Sequence, residues 1–363
     1  MKYYYHKLLI KYNNSININL LINNDKQLEK YIEDIKDDTV LGIDTEFRRI
    51  DSYFPELCLI QIASRDYLEC IDVLSINNLE PLFNKLYDGK TLWVIHSARQ
   101  DIEALFILSN RIPFSIFDTQ IAASLLNFPL QVSYQSLTQE LQNIYLEKKH
   151  TRFDWTSRPL PKDVLEYALD DVRYLLPNYR ILKDKLDSEN KTQWLDEETS
   201  LLLEQKLYEP NIEQICKKTK GLSKIDSRSQ KQAIKLVYWR ESTAQKENKP
   251  RKWIMSDEKL LDYACGKNNL SVSSKKLFDK FTAQNLKKPI FSKAFHPQKP
   301  LSNDEKLKKN ELQNLINELA LKYNLPPELI CSAKSLVKFI RGDSESPLKK
   351  GWRSKILKIQ QQT

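Results

Sequence analysis

The most constraining feature of this sequence is an apolar, strand-like segment, VLGIDTEFRR at residues 40–49, that carries two acids. Asp44 and Glu46 are two residues apart, and successive side chains of a strand point to opposite faces, so both acids share one face. Two like charges this close repel each other, and burial strengthens the repulsion. The segment therefore predicts a buried strand that needs a positive charge between its acids. Hard oxygen ligands in a small cluster select Mg²⁺ or Mn²⁺.

The first half of the chain alternates strand-like and helix-like segments. Three strand-like runs at 40–49, 57–64 and 66–74 are too closely spaced for helical crossovers, so they predict an antiparallel meander. Helices and strands then alternate through residue 190, which predicts an α/β domain with a mixed sheet flanked by helices. From about Tyr208 onward helical segments dominate, and a proline-containing segment divides this half into two all-α modules.

The charge of the chain is divided between the two halves. Residues 1–200 carry 23 Lys and Arg against 31 Asp and Glu, a net charge of −8, whereas residues 201–363 carry 34 against 17, a net charge of +17. A basic excess of this size favours a polyanionic partner, nucleic acid first. An AT-rich genome that uses lysine wherever solvent allows would explain individual lysines, but it would not explain the acidic first half.

The composition favours a cytoplasmic protein. No apolar run approaches the roughly 20 residues that cross a bilayer, and the N-terminal residues lack the small-residue cleavage site of a signal peptide. The five cysteines are scattered without disulfide or zinc spacing, which is typical of reduced thiols. The four histidines do not cluster either, so we predict no zinc site.

A third acid follows the strand-like segment at 91–98. Ser97 is a natural N-cap, which places Asp101 in the first turns of a helix that begins where this strand ends. Asp101 in isolation is better explained by its favourable interaction with the helix dipole than by a functional role.

A fourth acid lies in DVLEYALDDVRYLLP, which predicts one helix ending before Pro177. On a helical projection, Asp171 borders the apolar stripe beside Tyr167, its i−4 neighbour, whereas Asp170 points toward water. Tyr167 is explained either by simple packing or by a functional role. If the four acids converge, they suit a pair of metal ions in a two-metal phosphodiesterase, with Tyr167 orienting the attacking water.

These motifs resemble those of the DEDD 3′→5′ exonucleases. The three motifs of that family appear as DTE (Asp44, Glu46), SARQD (Asp101) and YALDD (Tyr167, Asp171), and the tyrosine is typical of the tyrosine subgroup. The longer segments DTEFRRIDSYFPELCLIQIA and FDWTSRPLPKDVLEYALDDVRYLLP are similar to bacterial ribonuclease D.

The helical half is similar to the helicase-and-RNase-D C-terminal (HRDC) modules of the same family. The resemblance divides the chain into a 3′→5′ exonuclease domain, a first HRDC domain, and a linker with a second HRDC-like domain, in which the likeness is patchy before Leu319. The N-terminal extension matches nothing that we recognise. The predicted boundaries are 1–15 for the extension, 16–205 for the exonuclease domain, 208–290 for the first HRDC domain, and 291–363 for the linker and second module.

The resemblance implies an RNase H-like exonuclease fold and metal-dependent release of 5′-mononucleotides from RNA 3′ ends. It implies two divalent ions, Mg²⁺ or Mn²⁺, held by Asp44, Glu46, Asp101 and Asp171, with Tyr167 as the fifth catalytic residue. The implied partner is RNA, including tRNA precursors and other structured RNAs with 3′ extensions. No membrane and no obligate protein partner is indicated, and one catalytic core with two binding modules makes a monomer sufficient.

Several side chains are candidates for nucleic-acid contacts. Cations provide salt-sensitive contacts to phosphates, and an exposed aromatic ring can stack on an unpaired base. Trp239 lies in an apolar helical run that is typical of a core, whereas the sequence leaves Trp253 open between core and surface. The candidates are Arg48, Arg49, His96, Arg240, Arg251, Lys252 and Trp253.

Two other functions remain open at this point. The first is a DNA 3′→5′ exonuclease with the same residues, because no residue in the sequence identifies a reader of the 2′-hydroxyl. The second is a nucleic-acid-binding protein with an inactive exonuclease domain, which the presence of all four acids disfavours.

Overall fold

The computed structural model describes residues 16–147, 150, 152–285 and 299–362. The predicted N-terminal extension and residues 291–298 of the predicted linker lie outside these ranges. Among the described residues, no helix is both long and apolar enough to span a bilayer.

The described residues form two compact units. The first unit contains the predicted α/β region together with the C-terminal helices, and the second contains the intervening helices and one short segment from the first half of the chain. The first comprises the described residues up to Arg48, Leu57–Glu204 and Leu301 onward; the second comprises Arg49–Glu56 and Gln205–Pro300. The domain boundaries expected from the sequence stay a prediction.

The first unit is built on a six-stranded sheet in the order β1-β4-β3-β2-β5-β6. Strands β3 and β4 pair antiparallel, whereas β2 with β5, β5 with β6, and β1 with β4 pair parallel. The sheet is mixed and flanked by helices, which confirms the predicted fold class. The strands are β1 (Asn17–Ile18), β2 (Val40–Arg48), β3 (Glu56–Ala63), β4 (Tyr67–Asp72), β5 (Leu92–Ile95) and β6 (Ser115–Asp118).

The helices are numbered here along the described chain. In the first unit they are α1 (Asp25–Asp34), α2 (Glu80–Leu86), α3 (Arg99–Ser109), α4 (Thr119–Leu125), α5 (Tyr134–Gln142), α6 (Lys162–Arg173), α7 (Leu175–Ser188) and α8 (Thr192–Ser200). The second unit contains α9 (Ile212–Lys218), α10 (Ser227–Lys246), α11 (Arg251–Ile254), α12 (Asp257–Ala264) and α13 (Val272–Asn285). The first unit resumes with α14 (Asn303–Tyr323), α15 (Pro327–Ile330), α16 (Ala333–Ile340) and α17 (Gly351–Gln362).

A glycine sets the distance between β2 and the helices that cover it. A Cβ atom at Gly42 would lie 3.2 Å from the Cβ atoms of both Ala63 and Leu175. Gly42 therefore lets the start of α7 approach the sheet closely. Because Gly42, Asp44 and Glu46 alternate along one strand, this covered face is also the face that carries the two acids.

The predicted single helix ending before Pro177 is wrong in detail. Helix α6 ends at Arg173, and α7 begins at Leu175 with Pro177 in its first turn. The first N–H groups of a helix have no intrahelical acceptor, so a proline there costs no hydrogen bond. A proline in this sequence therefore marks the start of a second helix two residues after the first one ends.

The C-terminal helices pack in the same unit as the sheet. The rings of Trp194 on α8 and Trp352 on α17 stack with centroids 4.6 Å apart. The backbone N–H of Trp352 donates to the Glu197 carboxylate at 2.6 Å, and its indole N–H donates to Glu198 at 2.8 Å. These contacts come from adjacent residues on one face of α8 and tie the last described helix to the α/β part.

The second unit has its own apolar core. Trp239 on α10 is buried there against Phe278 of α13, with ring centroids 5.8 Å apart. The prediction that Trp239 is a core residue is confirmed.

The start of α17 generates a stability prediction. Gly351 has φ of +56°, and a Cβ atom there would lie 2.1 Å from Glu197 Oε2, which also accepts the Trp352 N–H. We expect Gly351→Ala to lower the free energy of unfolding by about 2–3 kcal/mol, since it combines backbone strain with loss of a charge-assisted hydrogen bond. Gly89→Ala is the control, because φ is +76° but no atom lies within 4 Å; about 1 kcal/mol is expected there. Equal effects in thermal unfolding would contradict the role of Glu197.

Candidate active site

Three of the four predicted acids lie together on the covered face of the sheet. Asp44 and Glu46 come from β2 and Asp171 from α6, and each places a carboxylate oxygen within 4.8 Å of the others. All three side chains are partly buried. Oxygen donors at this spacing fit a divalent cation such as Mg²⁺ or Mn²⁺, which prefers carboxylate ligands.

Asp101 lies beside this cluster and has a partner of its own. It is buried in the first turn of α3, and its Oδ1 accepts a hydrogen bond of 2.6 Å from the Thr45 hydroxyl. Thr45 lies between Asp44 and Glu46 on β2, so the central strand supplies both the acids and the group that orients Asp101. Thr45 is a site residue that the sequence analysis missed, and its position inside the DTE motif was the available signal.

The predicted N-cap at Ser97 is wrong. Ser97 has φ of +65°, and α3 begins without a side-chain cap. The carboxylate of Asp118 accepts the backbone N–H groups of Ser97 at 3.1 Å and Ala98 at 2.9 Å instead. The same carboxylate also caps α4. Asp118 ends a strand directly before a helix, which is a recognisable N-cap pattern for α4, but its long-range role at α3 has no local signal.

The surroundings of the cluster disfavour its ionised form. Burial, followed by the charges of Asp101, Asp171 and Glu46, raises the pKa of Asp44 well above its usual value. Burial, followed by the charges of Asp171 and Asp101, raises the pKa of Glu46 to about 8. Burial raises the pKa of Asp101 to about 7 against the opposing Thr45 hydrogen bond, and burial and Asp170 raise that of Asp171 to about 7. A bound cation would reverse this penalty by neutralising the acids.

Tyr167 lies one turn before Asp171 on α6. Burial, and then the charges of Asp171, Glu46 and Asp44, raise the pKa of its phenol. The hydroxyl therefore keeps its proton at neutral pH and remains a hydrogen-bond donor. Its ring packs edge-on against His150 with centroids 5.8 Å apart, which limits the freedom of the side chain.

A second tyrosine, Tyr134 on α5, braces the end of α6. Its hydroxyl donates to the backbone carbonyl of Asp170 at 3.1 Å and accepts the N–H of Tyr174 at 3.0 Å. Burial and then the charge of Asp171 raise its pKa, so this tyrosine also stays neutral. The sequence offers no pattern that would have identified this contact.

The structure corrects the predicted role of His96. Its Nδ1 lies 2.8 Å from the Thr119 hydroxyl and its Nε2 lies 3.0 Å from the Val132 carbonyl. Burial lowers the pKa of the ring. Both ring nitrogens are thus engaged by protein groups, so His96 is a structural residue next to the site and not a nucleic-acid contact.

The structure also corrects the predicted role of Arg240, which lies in the second unit. It is 2% exposed, and its guanidinium donates to the Met255 carbonyl at 3.2 Å and the Asp257 carboxylate at 2.7 Å. A helical projection shows Arg240 beside Trp239 but gives no sign that the guanidinium is turned inward. Because a phosphate has no access to this side chain, Arg240 is a structural residue and the prediction that it contacts nucleic acid is wrong.

The other cations and the aromatic candidate of the second unit are more accessible. Trp253 is 64% exposed on α11, and Lys252 beside it is exposed. Arg251 lies 3.1 Å from the buried Glu241 carboxylate and over the ring of Tyr53, yet 46% of its side chain is exposed. Arg48 is partly buried at the end of β2, and Arg49 is exposed.

A mixed sheet with acids on its central strand and a tyrosine one turn before a further acid is the arrangement that the resemblance to the 3′→5′ exonucleases predicts. The 3′-5′ exonuclease family matches residues 20–187 of this chain. Ribonuclease D of Bartonella henselae is 34% identical over 355 residues, which cover 93% of this chain and 87% of the relative. Ribonuclease D of Desulfotalea psychrophila is 32% identical over 361 residues, covering 93% and 96%.

The fold is shared with a solved structure. The crystal structure of Escherichia coli RNase D superimposes with a TM-score of 0.80 at 23% identity, covering 95% of this chain and 97% of that one. The chain belongs to the ribonuclease D family, and it is accordingly a 3′→5′ exoribonuclease, a hydrolase. The resemblance seen in the sequence motifs is confirmed.

The electrostatics predict how pH changes the stability of the metal-free protein. Each acid has a higher pKa in the folded protein than in the unfolded chain, where it is about 4. Protonation of the acid therefore stabilises the fold, and this stabilisation is complete below about pH 4. The contribution is lost as the pH rises through the folded-state values of about 7 to about 8. We therefore expect the Tm in EDTA to fall between about pH 5 and about pH 8, and Asp44→Asn to reduce the fall.

Glu166→Gln is the control for this measurement, because Glu166 is an exposed acid on the same helix as Asp171, 3.6 Å from Lys162. Its Tm should follow that of the wild type across the pH range. If wild type and Asp44→Asn lose stability in parallel, the acids do not repel each other as described.

Proposed function

We propose that this exoribonuclease releases 5′-mononucleotides one at a time from RNA 3′ ends and that it uses two divalent ions. The proposal rests chiefly on the three carboxylates of Asp44, Glu46 and Asp171 within 4.8 Å of one another. Asp101, held by Thr45 at 2.6 Å, is available as a fourth acid, either directly or through water. The choice between Mg²⁺ and Mn²⁺ is open, since both prefer these ligands.

The residues of the chain divide the work in this proposal. When bound, the ions would supply positive charge and activation of water at neutral pH. Asp44, Glu46 and Asp171 would hold the ions, which would in turn position the scissile phosphate. The protonated phenol of Tyr167 orients the attacking water by a hydrogen bond, and the Tyr134 hydroxyl keeps the end of α6, and thereby Asp171, in place.

The charge of the basic half supports RNA as the substrate. In this proposal the basic half holds the RNA while the acidic site cleaves its 3′ end. Residues 201–363 carry a net charge of +17, which supplies phosphate contacts independent of sequence. Within the second unit, Trp253 and Lys252 are exposed next to Arg251, a combination suited to an unpaired base and its phosphate. Arg48 and Arg49 follow the acids of β2 and are proposed to contact phosphates nearer the site.

The natural setting is part of the proposal. We propose that the substrates are tRNA precursors and other structured RNAs with 3′ extensions, that a monomer suffices, and that the protein works in the cytoplasm. The five free cysteines support a reducing compartment.

The central test is an Asp44→Asn variant on a 5′-labelled RNA. We expect the wild type to produce a ladder that shortens by one nucleotide from the 3′ end and is abolished by EDTA. Asp44→Asn should lose at least about 10³-fold in rate, since an amide is a poor metal ligand, while RNA affinity stays within about twofold. Asp170→Asn is the matched control, because Asp170 is the adjacent acid on α6 and pairs with Arg173 at 2.7 Å.

The same time course separates the alternatives. A DNA oligomer of the same sequence should be shortened much more slowly than the RNA. Equal rates on both would favour a nuclease without sugar preference, and RNA that is bound but uncut would leave a binding protein. Endonucleolytic products would contradict the proposed direction.

Trp253 generates a separate prediction on binding. In an Asp44→Asn background, Trp253→Ala should weaken single-stranded RNA about tenfold, since stacking on one base contributes roughly 1–3 kcal/mol. Fluorescence anisotropy would measure the affinity. Val272→Ala is the control, because Val272 is 89% exposed in the same unit but has no ring to stack. Unchanged affinity for Trp253→Ala would exclude Trp253 from the RNA surface.

A further inference from the structure

Gln61 on β3 is a buried polar residue that the described structure leaves without a partner. Its side chain is 0% exposed, and among the described residues neither Nε2 nor Oε1 has a hydrogen-bond partner. An amide buried in this state is destabilising, because no hydrogen bond offsets the loss of its contacts with water. An apolar side chain of similar size would avoid this cost, so the amide is expected to have a role of its own.

The strand register places Gln61 beside the acids. Gly42 on β2 lies against Ala63 on β3, and the two strands are neighbours in the sheet. The short connection between the two strands requires antiparallel pairing. A step of two residues forward along β2 therefore matches a step of two residues back along β3. Asp44 therefore lies next to Gln61 on the same face, at a separation of about 5 Å between strands.

The other neighbour of Gln61 supports this placement. Cys70 on β4 is its cross-strand partner. The pKa of Cys70 is raised by burial, then by Glu69, and also by the charges of Glu46 and Asp44. Because Gln61 lies on the strand between Cys70 and these acids, it is nearer to them than Cys70 is.

The nearby groups of β4 are not suitable partners for the amide. The Cys70 thiol is directed to the Leu165 carbonyl at 3.9 Å. Glu69 has a buried oxygen without a partner, but it lies opposite Ile62 and so on the other face of the sheet. Of the two strands that flank β3, β2 with Asp44 is therefore the one that can offer the amide an acceptor.

We propose that Gln61 is a positioning residue for the metal site: its Nε2 donates a hydrogen bond to the Asp44 carboxylate when that carboxylate holds a cation. This inference rests on the proposed metal site. A ligating carboxylate that is held by a neighbouring donor binds its metal in a fixed orientation, and loss of such a donor typically weakens metal binding 10- to 100-fold.

The proposal predicts effects of opposite sign on stability and on metal binding. In the metal-free protein, Gln61→Met replaces an unsatisfied amide with an unbranched apolar chain of similar size, so the Tm in EDTA should stay equal or rise. With Mn²⁺, the same variant should bind about 10- to 100-fold more weakly. A purely structural glutamine would show the reverse, a lower Tm with unchanged affinity.

Isothermal titration calorimetry with Mn²⁺, and thermal unfolding in EDTA, test this on the full chain. Ile62→Val is the matched control, because Ile62 is buried on the same strand but faces away from Asp44; its Mn²⁺ affinity should equal that of the wild type. Gln61→Leu provides a second shape if Gln61→Met does not fold.

The outcomes separate this inference from the function on which it rests. If the wild type binds no Mn²⁺, or Asp44→Asn binds it equally well, the proposed metal site fails. If the wild type binds Mn²⁺ through Asp44 but the Gln61 variants bind it equally well, the inference alone is overturned. A lower Tm in EDTA for both Gln61 variants would also overturn it.

Discussion

The repulsion among Asp44, Glu46 and Asp171 is the constraint on which the rest of the structure depends. Three carboxylate oxygens within 4.8 Å of one another would separate unless rigid elements held them. The apolar residues of β2 supply one wall, and Gly42 lets α7 close over the sheet. The stability of the core is thus used to hold a site that is unfavourable until a cation binds, a common compromise between stability and function.

The half of the chain that carries the acids has a net negative charge, and the other half has a net positive charge. An acidic site alone would repel an RNA end, so in the proposed function the basic residues of the second half supply the affinity. The segment Arg49–Glu56, which follows the acids along the chain, belongs to the second unit. There the Tyr53 hydroxyl donates to buried Glu241 at 3.1 Å, and Asn248 accepts the N–H groups of Tyr53 and Phe54. The strand that carries the acids is therefore joined directly to a segment fastened in the basic half.

What the sequence could predict follows from the range of the interactions involved. The alternation on β2 and the helical spacing of Tyr167 and Asp171 are local, so the acids and the mixed sheet were predictable. The hydrogen bonds that Asp118 accepts from Ser97 and Ala98, just before α3, were not predictable, because Asp118 lies on another strand. Likewise, the inward turn of Arg240 depends on Asp257 and Met255 rather than on its neighbours in α10. Long-range polar contacts leave no periodic pattern, which is why these assignments needed coordinates.

The acids and Gln61 both carry a free-energy cost in the metal-free protein. The raised pKa values of Glu46, Asp101 and Asp171 show that the surroundings penalise negative charge, and the unpaired amide of Gln61 shows a donor held ready beside it. Neither feature stabilises the metal-free fold, and departures from local consistency of this kind concentrate at functional sites. A cation would relieve the first penalty by neutralisation, and an ionised Asp44 would relieve the second by accepting the hydrogen bond. Under the proposed function, both features are therefore costs to the metal-free fold that binding of a cation would relieve.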